Sequence, residues 1–186
     1  VFGNSIQANF SYEIPTLVKK SYLGLIPNVE YKNLRTVNYK TSDDSQELFQ
    51  DDYASFQSLK TGIDITFKNN FYLEHDLKTG WEALEISDSL QKLNPYFLPD
   101  SSRSTSYIYL GYDLRLDKRD SKFYPLKGFF VKTGFLKKGM GIVERGKSET
   151  DVFFFNAEIS GFVPMGGRFY WGAKAKIRTM PDRNYS

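Results

Sequence analysis

The stretch from Ser106 to Leu136 reads SYIYLGYDLRLDKRDSKFYPLKGFFVKTGFL, and its period-two alternation leaves few folds open. Ile108, Leu110, Tyr112, Leu114 and Leu116 fall in one register, while Tyr109, Gly111, Asp113, Arg115 and Asp117 fall in the other. Successive strand side chains point to opposite faces, so this arm has one oily side and one charged side. After a charged link the pattern returns, with Phe129, Val131, Thr133 and Phe135 against Phe130, Lys132 and Gly134. The whole is an amphipathic β-hairpin of membrane type.

The same alternation recurs along the chain and predicts eight strands. The first runs from Ser5 to Ile14, and the second, weaker one from Leu23 to Tyr31. Pro27 interrupts the second and demands a bulge, a strand end or a free edge, because proline cannot donate to a ladder. Ser58 to Phe67 forms the third, and Phe71, Leu73, Leu77 and Trp81 carry the oily side of the fourth. Beyond the hairpin, Phe153 to Val163 and Phe169 to Arg178 complete the set, with Pro164 to Gly167 as the turn between them.

The links alternate short and long. Short ones fall at 15–20, 68–70, 118–127 and 164–167; long exposed loops fall at 33–57, 87–105 and 137–150. Outer-membrane barrels have this asymmetry, with short periplasmic turns and longer outer loops. A soluble sandwich does not require it.

A lipocalin-like barrel would satisfy the alternation as well, with its oily side inward. Aromatic residues make up 17% of the chain, and Tyr12, Tyr31, Phe67, Phe71 and Trp81 in oily register near strand ends favour the girdles of a membrane barrel. The expected lipid-facing set is Ile108, Leu110, Leu114, Phe129, Val131, Phe155, Ile159, Trp171 and Ala173; the expected lumen-facing set is Asp64, Glu74, Asp113, Arg115, Glu158, Lys174 and Lys176. No run reaches the roughly 18 apolar residues of a spanning helix.

Other chemistry is thin. The 25 basic and 22 acidic residues are nearly balanced and scattered, which argues against nucleic acid as a partner. With no cysteine and one histidine, His75, neither thiolate chemistry nor a histidine metal cluster is expected, and no cofactor is implied. Gly141 to Ser148 spells the phosphate-loop pattern, but an alternating strand rather than a helix follows it, so a chance match in a loop is the reading. Paired acids such as Glu74 and Asp76 lack a nucleophile and base in a catalytic arrangement.

The link Asp117-Lys118-Arg119-Asp120 followed by Tyr124-Pro125-Leu126-Lys127-Gly128 resembles a hallmark of the BamA/TamA-type superfamily, the bacterial surface antigen proteins. Members carry a D-x-R-D turn and a Y/F-P-x-x-G lead-in to the next strand. Phe162-Val163-Pro164-Met165-Gly166 is similar to the family's next turn, and upstream Tyr12-Glu13-Ile14-Pro15 adds a weaker likeness. In this turn Asp117, Arg119, Asp120, Pro125 and Gly128 are expected to be structural rather than catalytic.

The resemblance implies an all-β, antiparallel up-and-down transmembrane barrel, present as one segment spanning residues 1–186 of a larger, roughly sixteen-stranded one. It implies POTRA domains, further strands and a lumenal R-G-F/Y loop outside the chain. It also implies a Gram-negative outer membrane and a non-enzymatic role in folding and inserting other outer-membrane proteins. The expected partners are then outer-membrane lipid, nascent outer-membrane β-barrel proteins and accessory lipoproteins. A secretion pore or enzyme-fused barrel of the same superfamily, and a free-standing eight-stranded anchor, are the alternatives.

Overall fold

The structure, a computed structural model, describes residues 5–15, 17, 22–42, 45–51, 54–98, 101–140 and 151–180. The period-two pattern becomes one antiparallel sheet of eight strands: β1 (Ile6–Ser11), β2 (Leu23–Leu34), β5 (Phe56–Lys68), β6 (Leu73–Ile86), β7 (Ser104–Asp117), β8 (Gly128–Lys138), β9 (Val152–Gly166) and β10 (Phe169–Thr179). Each pairs with its sequence neighbour in that order, so the sheet is an up-and-down meander. Its ends, β1 and β10, do not pair with each other, and the sheet is open. Strands β5 to β10 hold 11 to 15 residues each, enough to cross a hydrocarbon layer when tilted.

Two parts of the long links are structured rather than open loop. Within the expected loop 33–57, β3 (Thr36–Ser42) and β4 (Ser45–Gln50) form a separate hairpin, and within 87–105 lies α1 (Asp88–Leu93). The polar composition of these links hid them, because the apolar residues that order them are split between two links remote in sequence, Val37 and Phe49 in one and Leu90 and Leu98 in the other. Val37, Ile86, Leu90 and Leu98 form a small buried core, with Leu34, Phe49, Phe56, Leu84 and Phe97 packed around it. Ser87 caps α1 by accepting from Leu90 N–H at 3.2 Å, and Asn94 Nδ2 donates to Tyr39 O at 2.7 Å to tie the helix end to β3. The hairpin and helix thus make a cap at the long-link end of the sheet.

Four local expectations change. Pro27 lies inside β2, paired with Ile63 without a register shift. The regular β1 ladder stops at Ser11 opposite Asn28, while Tyr12 N–H still donates to Pro27 O at 3.2 Å. The missing proline donor therefore faces the strand that ends there. Pro164 is also within a strand, paired with Tyr170; it lies past Phe162, the last residue of β9 that pairs with β8, and the turn is left to Gly167 and Arg168. Phe71 is not on the fourth strand's face but in the link before it, where Asn70 Oδ1 accepts from Tyr72 and Leu73 N–H and starts β6 at Leu73. Because β6 then runs on to Ile86, Trp81 sits in mid-strand between Thr61 and Ile108, not near a strand end.

Candidate functional site

Register places the predicted sets on two separate faces. Direct antiparallel partners share a face, so Asp64 with Lys78, Glu74 with Arg115, Asp113 with Asp76 and Gly134, and Glu158 with Lys132 and Lys176 all lie on one side, as does Lys174 beside Ser160. Ile108, Leu110, Leu114, Phe129, Val131, Phe155, Ile159, Trp171 and Ala173 lie on the other.

The charged face is the concave one. Side chains from strands two apart meet across it: Lys60 of β5 sits 4.7 Å from the ring centroid of Tyr109 of β7, and Lys138 of β8 reaches Glu82 of β6 at 3.2 Å. Tyr107 and Tyr109 are buried to 3% exposure there, although both alternate with apolar neighbours on the opposite face. By contrast Ile63, Leu77, Phe155, Ile159 and Trp171, on the convex face, are exposed. A soluble barrel would curve the other way, with the oily side inward.

Ion pairs tie the concave face strand to strand. Lys78 meets Asp113 at 2.8 Å with Lys132 at 3.7 Å on the same carboxylate; Arg115 meets Glu74 at 2.7 Å, and Lys174 meets Glu158 at 2.7 Å. Asp64 accepts from Asn28 at 3.5 Å, while Lys176 faces Glu158 across the β9–β10 ladder. Sequence reasoning missed one element of this face. Tyr109 lays its hydroxyl over Gly62 and Gly80, where a Cβ would collide with it, and donates to Thr61 O at 3.5 Å. Glycine recurring in inward register on two strands beside an inward tyrosine on a third was the available signal, visible only once the register was known.

On the convex face a row of rings crosses five strands: Phe67, His75, Tyr112, Phe135 and Phe153, with successive centroids 5.9 to 6.1 Å apart. His75 Nδ1 lies 2.7 Å from the Tyr112 hydroxyl. The single histidine is thus a polar member of an aromatic row.

The short link 118–127 is held by its own side chains. Arg119 Nε and Nη2 both donate to Asp117 at 2.8 Å, and the guanidinium stacks 4.7 Å from the Phe130 ring centroid. Asp120 Oδ1 accepts from Ser121, Leu126 and Lys127 N–H at 2.9, 3.0 and 3.2 Å. The Lys127 bond leads in holding the Asp120 carboxyl below its ordinary pKa, with those from Leu126 and Ser121 adding to it. Gly128 has φ +101°, and a Cβ there would strike Lys118 O, so both backbone sign and space require glycine. Pro125 lies between Tyr124, whose N–H donates to Ser121 Oγ, and Leu126, whose N–H donates to Asp120, where no strand demands its own missing N–H. The phosphate-loop spelling at Gly141 to Ser148 lies outside the described residues; the element that follows is strand β9.

No family model matches the chain, and no curated protein matches it by sequence. Among solved structures it is similar to BamA from Haemophilus ducreyi lacking POTRA domains 1-3, with a TM-score of 0.68 at 12% identity. The chain has the fold of a BamA-like barrel segment. The match covers 97% of this chain but 34% of that one, so the chain spans about a third of the protein it matches. The likeness is therefore one of fold: an antiparallel, up-and-down sheet of an outer-membrane barrel kind.

Proposed function

We propose that this chain is part of the transmembrane barrel of a Gram-negative outer-membrane protein of the BamA/TamA type, which assists the folding and insertion of other outer-membrane proteins. One observation carries the membrane reading: the sheet turns its ion-paired face inward and its apolar face outward. The D-x-R-D and Y-P-x-x-G turn, with Asp117, Arg119, Asp120 and Gly128 each in a defined bond or backbone role, supports the family branch. Its open edges suit a segment of a larger barrel better than a free-standing eight-stranded anchor. Such a protein does no bond chemistry. It presents strand edges and a perturbed bilayer to an incoming chain, with nascent outer-membrane proteins and accessory lipoproteins as partners.

Two measurements test this in sequence. Single cysteines at Leu110, Leu114, Ile159 and Ala173 of the full-length protein should react only with lipid-soluble reagents, and those at Asp113, Glu158 and Lys174 with water-soluble ones; the reverse pattern sinks the membrane reading. Depletion of the protein should then lower the amount of folded porins in the outer membrane. Unchanged porin levels with the first pattern intact would leave a barrel of another function.

A further inference from the structure

We propose that the short-link rim binds the phosphate group of an anionic phospholipid, in the cavity between links 69–72 and 118–127. This rests on the membrane reading above, since it takes the adjacent leaflet as the source of the ligand.

The cavity, of about 590 Å³, brings together Lys68, Arg115 and Lys122 with Phe71 and Tyr72. Its charge is uneven. Lys68 and Arg115 both pair with the single carboxylate of Glu74, at 3.4 and 2.7 Å, and no ion pair involves Lys122 among the described residues. Lys68 and Arg115 therefore share one anion, and Lys122 adds a third cation whose carboxylate neighbour, Asp117, is already paired by Arg119. Lys68 and Arg115 keep about half of their side-chain surface open, at 52% and 41%, so a second anion can reach them without breaking the Glu74 pairs.

The apolar part of the wall selects among anions. Phe71 is 97% exposed at the tip of its link, and Leu73, also lining the cavity, belongs to the convex register of β6. The cavity thus runs from cationic side chains on the concave side to apolar ones continuous with the convex face. A molecule that fits both carries a phosphate next to an acyl chain. A free phosphate uses only the first half, and an acidic peptide leaves Phe71 and Leu73 in water. Lysine and arginine at a membrane boundary attract anionic lipid, and an aromatic ring suits the same depth.

The test uses the full-length protein in bilayers, with spin-labelled phosphatidylglycerol and phosphatidylcholine as probes. Wild type should prefer phosphatidylglycerol, and Lys68→Gln with Lys122→Gln should lower that preference by about fivefold per lysine removed. Heat-modifiable gel mobility confirms that the double variant is folded. An unchanged preference in the folded double variant overturns the proposal. So does loss of the wild-type preference on adding inorganic phosphate or a polyglutamate peptide at low millimolar strength, which would assign the cavity to a free anion or to an acidic chain. A single cysteine at Leu114 that reacts only with water-soluble reagents would instead mark failure of the membrane reading itself.

Discussion

The two rims of the sheet are built by opposite means. At the short-link rim, order is local: Asp117, Arg119, Asp120 and Gly128 act within a dozen residues of one another, through an ion pair, three amide bonds to one carboxylate and one left-handed backbone position. At the long-link rim, order is non-local. Val37, with Leu34 and Phe49 beside it, comes from one stretch, and Ile86, Leu90 and Leu98 from another, so the core forms only when two stretches remote in sequence meet. A turn of the first kind forms as soon as its own residues are close, whereas a cap of the second kind must first bear the entropy of closing long loops. The first rim is therefore expected to be rigid and independent, and the second to open as a unit.

The largest effect should come from the cap. Leu90 is fully buried, so Leu90→Ala removes packing worth about 2–5 kcal/mol in a site that cannot easily collapse. Because that core belongs to the cap and not to the ladders, hydrogen exchange should rise across β3, β4 and α1 together while β6 to β9 and the gel mobility of the folded barrel stay as in wild type. If exchange in β6 to β9 rises equally, the cap is not a separate unit and the contrast fails.

Next is Gly128→Ala. An alanine at φ +101° with Lys118 O in the way of its Cβ should cost about 1–3 kcal/mol. Here the damage should be confined to the β7–β8 end, read as slower recovery of folded mobility after refolding, with cap exchange unaffected. Arg119→Lys should cost less, about 1 kcal/mol, because a lysine keeps the charge but loses the two-point pairing with Asp117 and the flat stack on Phe130. A loss as large as that of Gly128→Ala would mean that the ion pair, not the backbone, sets the turn.

The same contrast explains what was legible in the sequence. Alternation along Ile108 to Leu116 and Phe129 to Phe135 shows both the strands and their faces, since side-chain direction in a strand is a local property. The short turn was legible for the same reason. Hairpin β3–β4 and helix α1 were not, because α1 is only six residues long and its one buried residue, Leu90, carries no periodic signal. Nor does alternation state which face is concave. That emerged from contacts between strands two apart, such as Lys60 with Tyr109, which no single strand encodes.

The smallest effect is in pH, and it has opposite signs at the two rims. Asp120 is held charged by the amides of Lys127, Leu126 and Ser121, so its folded pKa lies below the unfolded one. Its contribution is complete above the ordinary carboxylate range and is lost as pH falls through the lowered folded value. In the cap, Tyr39 donates to Glu47 at 2.8 Å, and that bond, with burial and the carboxylate charge adding to it, raises the phenol above 10.0. Its contribution is complete below the ordinary phenol range and is lost as pH rises through the raised value. Amide proton shifts of Leu126 and Lys127 should therefore titrate together in acid, and not in Asp120→Asn, which keeps an acceptor oxygen but no acidic proton. Cap exchange should instead increase in alkali, and less so in Tyr39→Phe. Acid sensitivity at the cap with none at the turn would reverse the assignment of which rim is held by a carboxylate and its neighbouring amides.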